Sequence, residues 1–284
     1  MNNKRLPISV LMGVYYRHSG IELLQRSVLS ILNQTFSDFE LLICDDGSTS
    51  EVVAYLDETA KCDPRVRLVR RGNLFTLPEK LNACLREASG DLIARMDDDD
   101  FSHPERFENQ IRYINAHPEI AFVGCNVNLC QNNIIAEQRI LPEYPSVQDF
   151  YFVQPYIHPS LMFRKEALLK VGGYSEEATC VLCEDYDLLL RLYAAGYQGA
   201  NLQECLLDYT IPLTAKGNRR MRHRWNETVT RWRRFRELNC LPTALPYVVK
   251  PIAVGLLPES ILRRLKKLAC SLKDSNEVTN GKRS

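Results

Sequence analysis

The sequence of 284 residues predicts an α/β fold in which helices flank a mostly parallel central sheet. Two observations lead to this fold class. Apolar segments of strand length alternate with helix-length segments through the first half of the chain. The apolar segments show no regular inside–outside alternation, which is typical of strands covered on both faces. Strands and helices in this order form βαβ units, and these units build parallel sheets.

The predicted elements of the first half follow one another in strict order. The first strand occupies residues 8–15, and residues 21–32 form a helix because their apolar side chains recur at spacings of three and four. The same patterns predict strands at 39–44, 66–69 and 92–96, with helices at 51–60 and from Pro78 to a stop at Gly90.

The second half is more varied. Ser102 begins a capping-box pattern, which predicts a helix that runs to about His117. The remaining predictions are a strand at 120–125, a hairpin over 129–140 with its turn at Asn132 and Asn133, and a helix at 184–195.

The character of the chain changes near Pro212. Residues 215–238 contain nine Lys or Arg and two Glu, hence a charge of +7 in a chain whose net charge is +1. We expect the apolar stripe of this segment, and a second amphipathic segment at 259–272, to pack on the protein or to lie on an anionic membrane surface. The stripe consists of Met221, Trp225, Val229, Trp232 and Phe235. We therefore predict a domain over residues 1–212 and a basic helical extension over 213–284.

The composition favours a cytoplasmic protein. The ten cysteines are scattered through predicted strands and helices, as expected in a reducing compartment. No apolar stretch approaches the ~18 residues that span a bilayer, and the N-terminal residues do not resemble a signal peptide. We expect a cytoplasmic protein that attaches peripherally, through its basic extension, to the inner face of the cytoplasmic membrane. No nucleic-acid partner is expected.

Four consecutive aspartates, Asp97 to Asp100, follow the fourth predicted strand. Like charges side by side repel one another, so a divalent cation with oxygen ligands would account for them. Ligands of α/β proteins bind at the carboxyl ends of the strands, which is where this run lies. The alternative is a solvated acidic loop.

Two further acidic pairs follow predicted strand or helix boundaries. Asp45 and Asp46 end the second strand, where a carboxylate either binds a nucleotide or belongs to an Asp-Gly turn. Glu184 and Asp185 begin a helix, where they either stabilise the helix dipole or supply a general base. His158 is either a hydrogen-bonded structural histidine or a residue at the acceptor site.

Several familiar motifs are absent from the sequence. It contains no G-x-G, no P-loop and no G-x-S-x-G. These absences argue against a dinucleotide-binding Rossmann protein, a P-loop NTPase and an α/β-hydrolase.

The motifs together resemble those of the family 2 glycosyltransferases, which have the GT-A fold. The resemblance covers roughly residues 6–210 and is greatest to bacterial members that build capsule, exopolysaccharide or O-antigen repeats. The residues that carry it are 8–16, 30–36, 42–49, 81–82, 94–100 with 104–107, 171–174 and 184–185.

The resemblance implies an inverting transfer from a nucleotide-diphosphate sugar, with a UDP-sugar as the expected donor, to a hydroxyl of a glycan or lipid-linked saccharide. Asp45 or Asp46 would contact the nucleoside, and Val14, Tyr15 and Asn82 would bind the nucleotide sugar as well. One departure is visible, because family members often have Pro at the position of Gly13 and Asn at the position of Tyr16.

The resemblance also implies a metal and a base. The D-x-D motif maps to Asp97 and Asp99, which would hold Mg²⁺ or Mn²⁺ against the diphosphate, with Asp98 as an alternative. Asp97 and Asp98 would also contact the nucleotide sugar. Asp185 would match the base that deprotonates the acceptor, with Glu184 beside it.

Three alternatives remain from the sequence. A phosphatase of the haloacid-dehalogenase type expects aspartates after the first strand, where this chain has none. A nucleotidyltransferase expects a Gly-rich basic loop there, which residues 15–20 match poorly. A non-catalytic binding or scaffold protein on the same fold is the third.

Overall fold

In the first half of the chain, each predicted strand and helix has its counterpart. We analysed a computed structural model, which describes residues 7–16, 20–70, 72, 76–132, 134–211 and 221–256. The strands are β1 (Ile8–Val14), β2 (Phe39–Asp45), β3 (Val66–Leu68) and β4 (Leu92–Arg95), and the helices are α1 (Glu22–Leu32), α2 (Ser50–Cys62) and α3 (Leu77–Glu87). The predicted βαβ order is therefore confirmed.

The remaining elements extend and cover the sheet. The strands are β5 (Phe101–Ser102), β6 (Ile120–Gln131), β7 (Ile134–Arg139), β8 (Met162–Arg164) and β9 (Gln198–Thr210). The helices are α4 (Arg106–Ala116), α5 (Lys165–Lys170), α6 (Glu184–Ala194), α7 (Met221–Glu237) and α8 (Leu241–Leu256).

The nine strands form one mixed sheet. Its order is β3-β2-β1-β4-β8-β6-β9-β5, with β7 paired to β6 outside this path. Pairing is parallel from β3 to β4 and between β6 and β9, and antiparallel elsewhere. The expected parallel pairing thus holds for the first four strands and again between β6 and β9, and the sheet is mixed because β8 enters beside β4 in the opposite direction.

Both faces of the sheet are buried, as the unbroken apolar strands indicated. Val10 and Met12 of β1 belong to one hydrophobic cluster, and Leu11 between them belongs to the other. Successive side chains of a strand point to opposite faces, so these two clusters are the cores above and below the sheet.

Two local predictions need correction, and a third, the hairpin, is confirmed. Ser102 lies in β5 rather than at a helix N-terminus, and its backbone N–H donates to Oγ of Ser30. The helix that was expected to reach Gly90 ends at Glu87, where Ala88 already has extended backbone angles. The hairpin is present as β6 and β7 with Asn132 in the left-handed region, whereas Asn133 lies outside the described residues.

The apolar stripe of α7 does not form the packed face. Trp225 is 59% exposed and Trp232 is 45% exposed, whereas Asn226, Thr230 and Arg231 are buried with Phe235. The polar residues are buried because they satisfy backbone carbonyls: Asn226 donates to Ala178, and Arg231 donates to Phe150 and Tyr151. The boundary at Pro212 and the amphipathic segment at 259–272 lie outside the described residues.

Candidate active site

The carboxyl ends of β1, β2 and β4 meet at one edge of the sheet. Val14 at the end of β1 pairs with Asp45 at the end of β2. Strand β4 is parallel to β1 and ends at Arg95, two residues before Asp97. The fold therefore brings the two acidic segments to the same edge, as the sequence predicted.

Three of the four consecutive aspartates converge. Asp97, Asp99 and Asp100 each place a carboxylate oxygen within 4.8 Å of the others. Asp98 is not part of this group, and its carbonyl oxygen accepts a hydrogen bond of 3.2 Å from the Tyr16 hydroxyl. The geometry thus unites the predicted pair, Asp97 and Asp99, and adds Asp100.

The aspartate group is short of positive charge. Burial, followed by repulsion from Asp97, raises the pKa of Asp98 to about 8 and that of Asp99 to about 6. The same causes raise the pKa of Asp100, although its Oδ1 accepts a hydrogen bond from the Thr210 backbone N–H. Its Oδ2 is buried and has no hydrogen-bond partner in the described part of the chain. An unpartnered buried oxygen among crowded carboxylates fits a divalent cation with oxygen ligands.

One buried arginine compensates part of this charge. Arg95 is 1% exposed, and its Nη2 donates to the Asp97 carboxylate. The Coulombic attraction of Asp97 keeps the Arg95 pKa above its ordinary value despite complete burial. Arg95 therefore orients one oxygen of Asp97 and leaves the second for another partner.

A cavity of about 610 Å³ joins the aspartates to the second predicted group. Its walls include Asp97, His158, Glu184, Asp185 and Tyr209. Two of the three acidic groups that the sequence indicated, the D-x-D segment and the Glu184-Asp185 pair, thus line one cavity.

Asp185 is held by two hydrogen bonds. Nε2 of Gln154 donates to Oδ2 at 2.9 Å, and the Tyr186 backbone N–H donates to Oδ1 at 2.8 Å. Burial raises the Asp185 pKa, and these two hydrogen bonds oppose the shift. The outcome is a half-buried, oriented carboxyl group at the N-terminus of α6, suited to accept a proton.

Glu184 has a different environment. Its Oε2 is buried, and the described residues supply no hydrogen-bond partner for it. Burial and the neighbouring Asp185 raise the Glu184 pKa to about 7. Glu184 is therefore less firmly ionised and less oriented than its neighbour.

The carboxyl end of β1 contains a cation that the sequence patterns did not indicate. Nζ of Lys80 donates to the Val14 carbonyl at 2.7 Å and lies 4.7 Å from the centre of the Tyr15 ring. Oδ1 of Asp45 is buried without a hydrogen-bond partner among the residues described. Asp46 follows it at the start of the Asp-Gly turn, where Gly47 has a φ of +85°.

The two departures from the family pattern have structural explanations. A Cβ at Gly13 would lie 2.8 Å from Cδ1 of Leu77, because α3 approaches β1 closely at this point. The Tyr16 hydroxyl bonds the Asp98 carbonyl, and the Tyr16 backbone N–H donates to Oγ of Ser48. Tyr16 thereby ties the end of β1 to the aspartate loop.

Two predicted site residues have mainly positioning contacts. The Asn82 amide bonds the backbone N–H and carbonyl of Tyr174 and the Glu176 carboxylate. Asn82 does not line the 610 Å³ cavity, and its contact with a nucleotide sugar stays a prediction. His158 does line this cavity, and its Nε2 bonds the Tyr174 hydroxyl at 2.9 Å. Burial and Arg95 lower the His158 pKa, so the ring is neutral.

Comparison with known proteins shows to which family the chain belongs. A sequence model described as "Glycosyl transferase family 2" matches residues 9–172, and one described as "Glycosyl transferase family group 2" matches residues 92–271. The chain is 30% identical to "Putative glycosyltransferase EpsE" of Bacillus subtilis, over 92% of this chain and 93% of EpsE. It is 34% identical to "O-antigen biosynthesis glycosyltransferase WbnJ" of Escherichia coli, over 72% of this chain and 79% of WbnJ.

Solved structures share the fold at low sequence identity. S. aureus TarS 1–349 in complex with UDP-GlcNAc has a TM-score of 0.63 at 15% identity and covers 86% of this chain and 73% of that one. The mannosyltransferase PcManGT from Pyrobaculum calidifontis, in complex with GDP-Man and Mn²⁺, has a TM-score of 0.60 at 15% identity, over 95% and 81%. With a family match over more than half of its length, this chain belongs to glycosyl transferase family 2, and its sheet and flanking helices form the GT-A fold.

Proposed function

We propose that this protein is an inverting glycosyltransferase that moves a sugar from a nucleotide-diphosphate sugar, a UDP-sugar, to a hydroxyl of a glycan or lipid-linked saccharide. The observation that carries the proposal is that Asp97 and Asp185 line the same cavity. One carboxylate group to anchor a leaving diphosphate and one base to activate an incoming hydroxyl are what a single in-line displacement requires.

Asp185 is the proposed base. It accepts the proton of the acceptor hydroxyl as that oxygen attacks the anomeric carbon, while the bond from this carbon to the diphosphate breaks. Gln154 keeps one Asp185 oxygen in place, and Glu184 is the adjacent carboxyl group. Inversion follows because one attack from the face opposite the leaving group forms the new bond.

Asp97, Asp99 and Asp100 are the proposed ligands of Mg²⁺ or Mn²⁺. The ion would neutralise charge that develops on the departing diphosphate. The support is the convergence of the three carboxylates and the unpartnered Asp100 oxygen. A fold relative binds Mn²⁺ together with GDP-Man, which is consistent with this choice.

The nucleoside is proposed to bind beside β1 and β2. Asp45 and Asp46 supply acceptors for ribose hydroxyls or a base N–H, and Val14 and Tyr15 supply the surface beneath the base. Lys80 fixes this surface through the Val14 carbonyl. A UDP-sugar is the proposed donor because the TarS structure with a similar fold holds UDP-GlcNAc.

The proposed acceptor belongs to surface polysaccharide biosynthesis, as the name of the relative WbnJ indicates for that protein. We also propose that α7 and α8 contact an anionic membrane. Trp225 and Trp232 are exposed beside the exposed Arg222 and Arg236, a pattern suited to a lipid headgroup region. No described helix is long and apolar enough to cross a membrane.

Thermal denaturation with a panel of UDP- and GDP-sugars, with and without Mn²⁺, tests the proposal. We expect one UDP-sugar to raise the melting temperature more with Mn²⁺ than without it. Asp99→Asn should lose the part of this increase that depends on Mn²⁺. Binding without any transfer or hydrolysis would favour the non-catalytic scaffold. No response to any nucleotide sugar would contradict the proposed function.

A further inference from the structure

The acceptor side of the cleft contains a second cavity. It has a volume of about 500 Å³ and lies between the β6–β7 hairpin and residues 149–155. Arg139, Val153 and Gln154 line both this cavity and the 610 Å³ cavity that contains Asp185. The two cavities are therefore one continuous groove, and Gln154, which bonds the proposed base, stands at their junction.

Arg139 projects into this groove because of the hairpin register. It pairs with Val127, and Glu137 pairs with Leu129, so these four side chains share one face of the two strands. Gln138, between them in β7, donates to Asn128 and also lines the second cavity. Leu129, Glu137 and Arg139 line the second cavity.

The guanidinium of Arg139 lies among carboxylates, since Glu137 and Asp149 also line the second cavity, but it pairs with none of them. The charged side chains that line the first cavity are Asp97, Arg139, Glu184, Asp185, Glu227 and Arg231. Arg231 is 3% exposed, pairs with Glu227 and donates to two backbone carbonyls. Arg139 makes no hydrogen bond or ion pair with any residue that the structure describes. It is thus the one lining cation of the described residues that retains its full donor capacity.

We propose that Arg139 binds an anionic group of the acceptor, so that the groove takes a negatively charged saccharide rather than a neutral one. The planar guanidinium offers paired N–H donors that match a diphosphate or a carboxylate. The anion is either the diphosphate that links a saccharide to a lipid or the carboxylate of an acidic sugar. This inference rests on the proposed function, since it assigns the acceptor class of the same site.

The second cavity adds a volume of about 500 Å³ to the 610 Å³ of the first. The second cavity continues beyond Gln154, away from Asp185, and its lining includes Glu137, Gln138 and Asp149. Phe152 and Val153 lie exposed at the margin of the first cavity and offer an apolar surface to a sugar face or a lipid stem. Because Arg139 lines both cavities, an anion bound to it would lie where the two cavities join, beside Gln154.

The test uses the full chain saturated with UDP and Mn²⁺, so that the donor site is occupied. Three probes are titrated by calorimetry: undecyl diphospho-GlcNAc, undecyl glucuronide and the neutral undecyl GlcNAc glycoside. We expect Arg139→Met to weaken binding of one of the two anionic probes about tenfold or more, since a hydrogen bond to a charged group is lost. The probe that responds identifies the source of the anion. Arg139→Lys should retain part of the affinity, and Arg112→Met, on the exposed face of α4, should change nothing.

Three results would overturn the inference. Equal weakening of the neutral and anionic probes would show that Arg139 only shapes the groove. Unchanged binding of both anionic probes, or no binding of either to the wild-type protein, would show that no anion is recognised there. Weaker binding of UDP itself in Arg139→Met would place the guanidinium at the donor. A protein that binds no nucleotide at all would instead contradict the proposed function, which the first titration with UDP reveals.

Discussion

Nε2 of Gln154 donates a hydrogen bond of 2.9 Å to Oδ2 of Asp185, across 31 residues of sequence. The same nitrogen also bonds the Tyr156 carbonyl at 3.2 Å, which fixes the orientation of the amide. The second Asp185 oxygen is occupied by the Tyr186 N–H. The carboxylate is therefore oriented by two elements, α6 and the segment before β8, and the two must be correctly placed together.

Gln154→Leu tests this relationship. Loss of the hydrogen bond removes an interaction that lowers the Asp185 pKa, so the pKa should rise. Because the base acts when deprotonated, the acidic limb of the kcat profile should move to higher pH, and kcat at neutral pH should fall about tenfold. The donor KM should remain unchanged. Gln203→Leu, on the exposed part of β9, serves as the control, and an unshifted profile in Gln154→Leu would contradict the role of Asp185.

The crowded aspartates make stability depend on pH and metal. The pKa of Asp98 rises from 3.8 to about 8 and that of Asp99 from 3.8 to about 6, so the folded state holds protons that the unfolded state releases. The contribution of these groups to stability is therefore full below pH 4 and declines as pH rises towards 8. In EDTA we expect the melting temperature to fall between pH 5.5 and 8, and Mn²⁺ should reduce this fall because it binds the ionised form.

Asp98→Asn is the matched variant for this experiment. It removes a carboxyl group whose pKa is raised to about 8 but leaves the three converging carboxylates in place. The decline in EDTA should become shallower, while stabilisation by Mn²⁺ should persist. An identical pH dependence with and without Mn²⁺ in the wild-type protein would contradict the assignment of the aspartates as a metal site.

A buried ion pair attaches α7 to the helix that carries Asp185. Arg234 donates from Nε to the Asp187 carboxylate at 2.7 Å, and Arg191 donates to its other oxygen. Asp187 is 1% exposed, so Arg234→Met leaves a buried charge with one partner fewer and should destabilise the protein by about 3 kcal/mol. Arg233→Met breaks an exposed pair with Glu177 and should cost under about 1 kcal/mol. Urea denaturation measures both, and equal effects would show that α7 is not anchored through Asp187.

Membrane contact is tested by sedimentation with vesicles. The exposed Trp225 and Trp232 lie seven residues apart on α7, so they share one face. The double variant Trp225→Ser/Trp232→Ser should lose most of its binding to vesicles that contain anionic phosphatidylglycerol, and wild-type binding should decline with added salt. Leu29→Ser, an exposed apolar residue of α1, should bind normally. Unchanged sedimentation of the double variant would contradict a role of this face.

The sequence predicted the first four strands because their apolar residues are local and continuous, and β1 to β4 lie where expected. It also indicated Asp97, Asp99 and Asp185 as candidate site residues, since charged residues directly after a strand or at a helix start are visible in one dimension; their roles stay predictions. The mixed second half of the sheet was not predictable in this way. Pairing of β4 with β8 joins residues about 70 positions apart, and no local pattern indicates that these two strands run antiparallel.

The residues that sequence reading missed act through tertiary contacts. Arg95 offered a signal, because a charge inside an apolar strand must find a buried partner, and it finds Asp97. Gln154 and Arg139 gave no such signal in the sequence, since their proposed roles depend on their position between two cavities. The prediction that the apolar stripe of α7 packs on the protein was wrong for a related reason. The backbone carbonyls of Ala178, Phe150 and Tyr151 accept hydrogen bonds from polar side chains of α7, so the polar face packs.

We propose that the aspartates and Asp185 together perform a single, inverting displacement. The most direct measurement is proton NMR of the slow hydrolysis of an α-linked UDP-sugar with Mn²⁺, read before the released sugar mutarotates. An inverting displacement releases the β-anomer first. Asp185→Asn should abolish hydrolysis while its affinity for the UDP-sugar is retained. Initial release of the α-anomer, or hydrolysis by Asp185→Asn at the wild-type rate, would contradict this proposal.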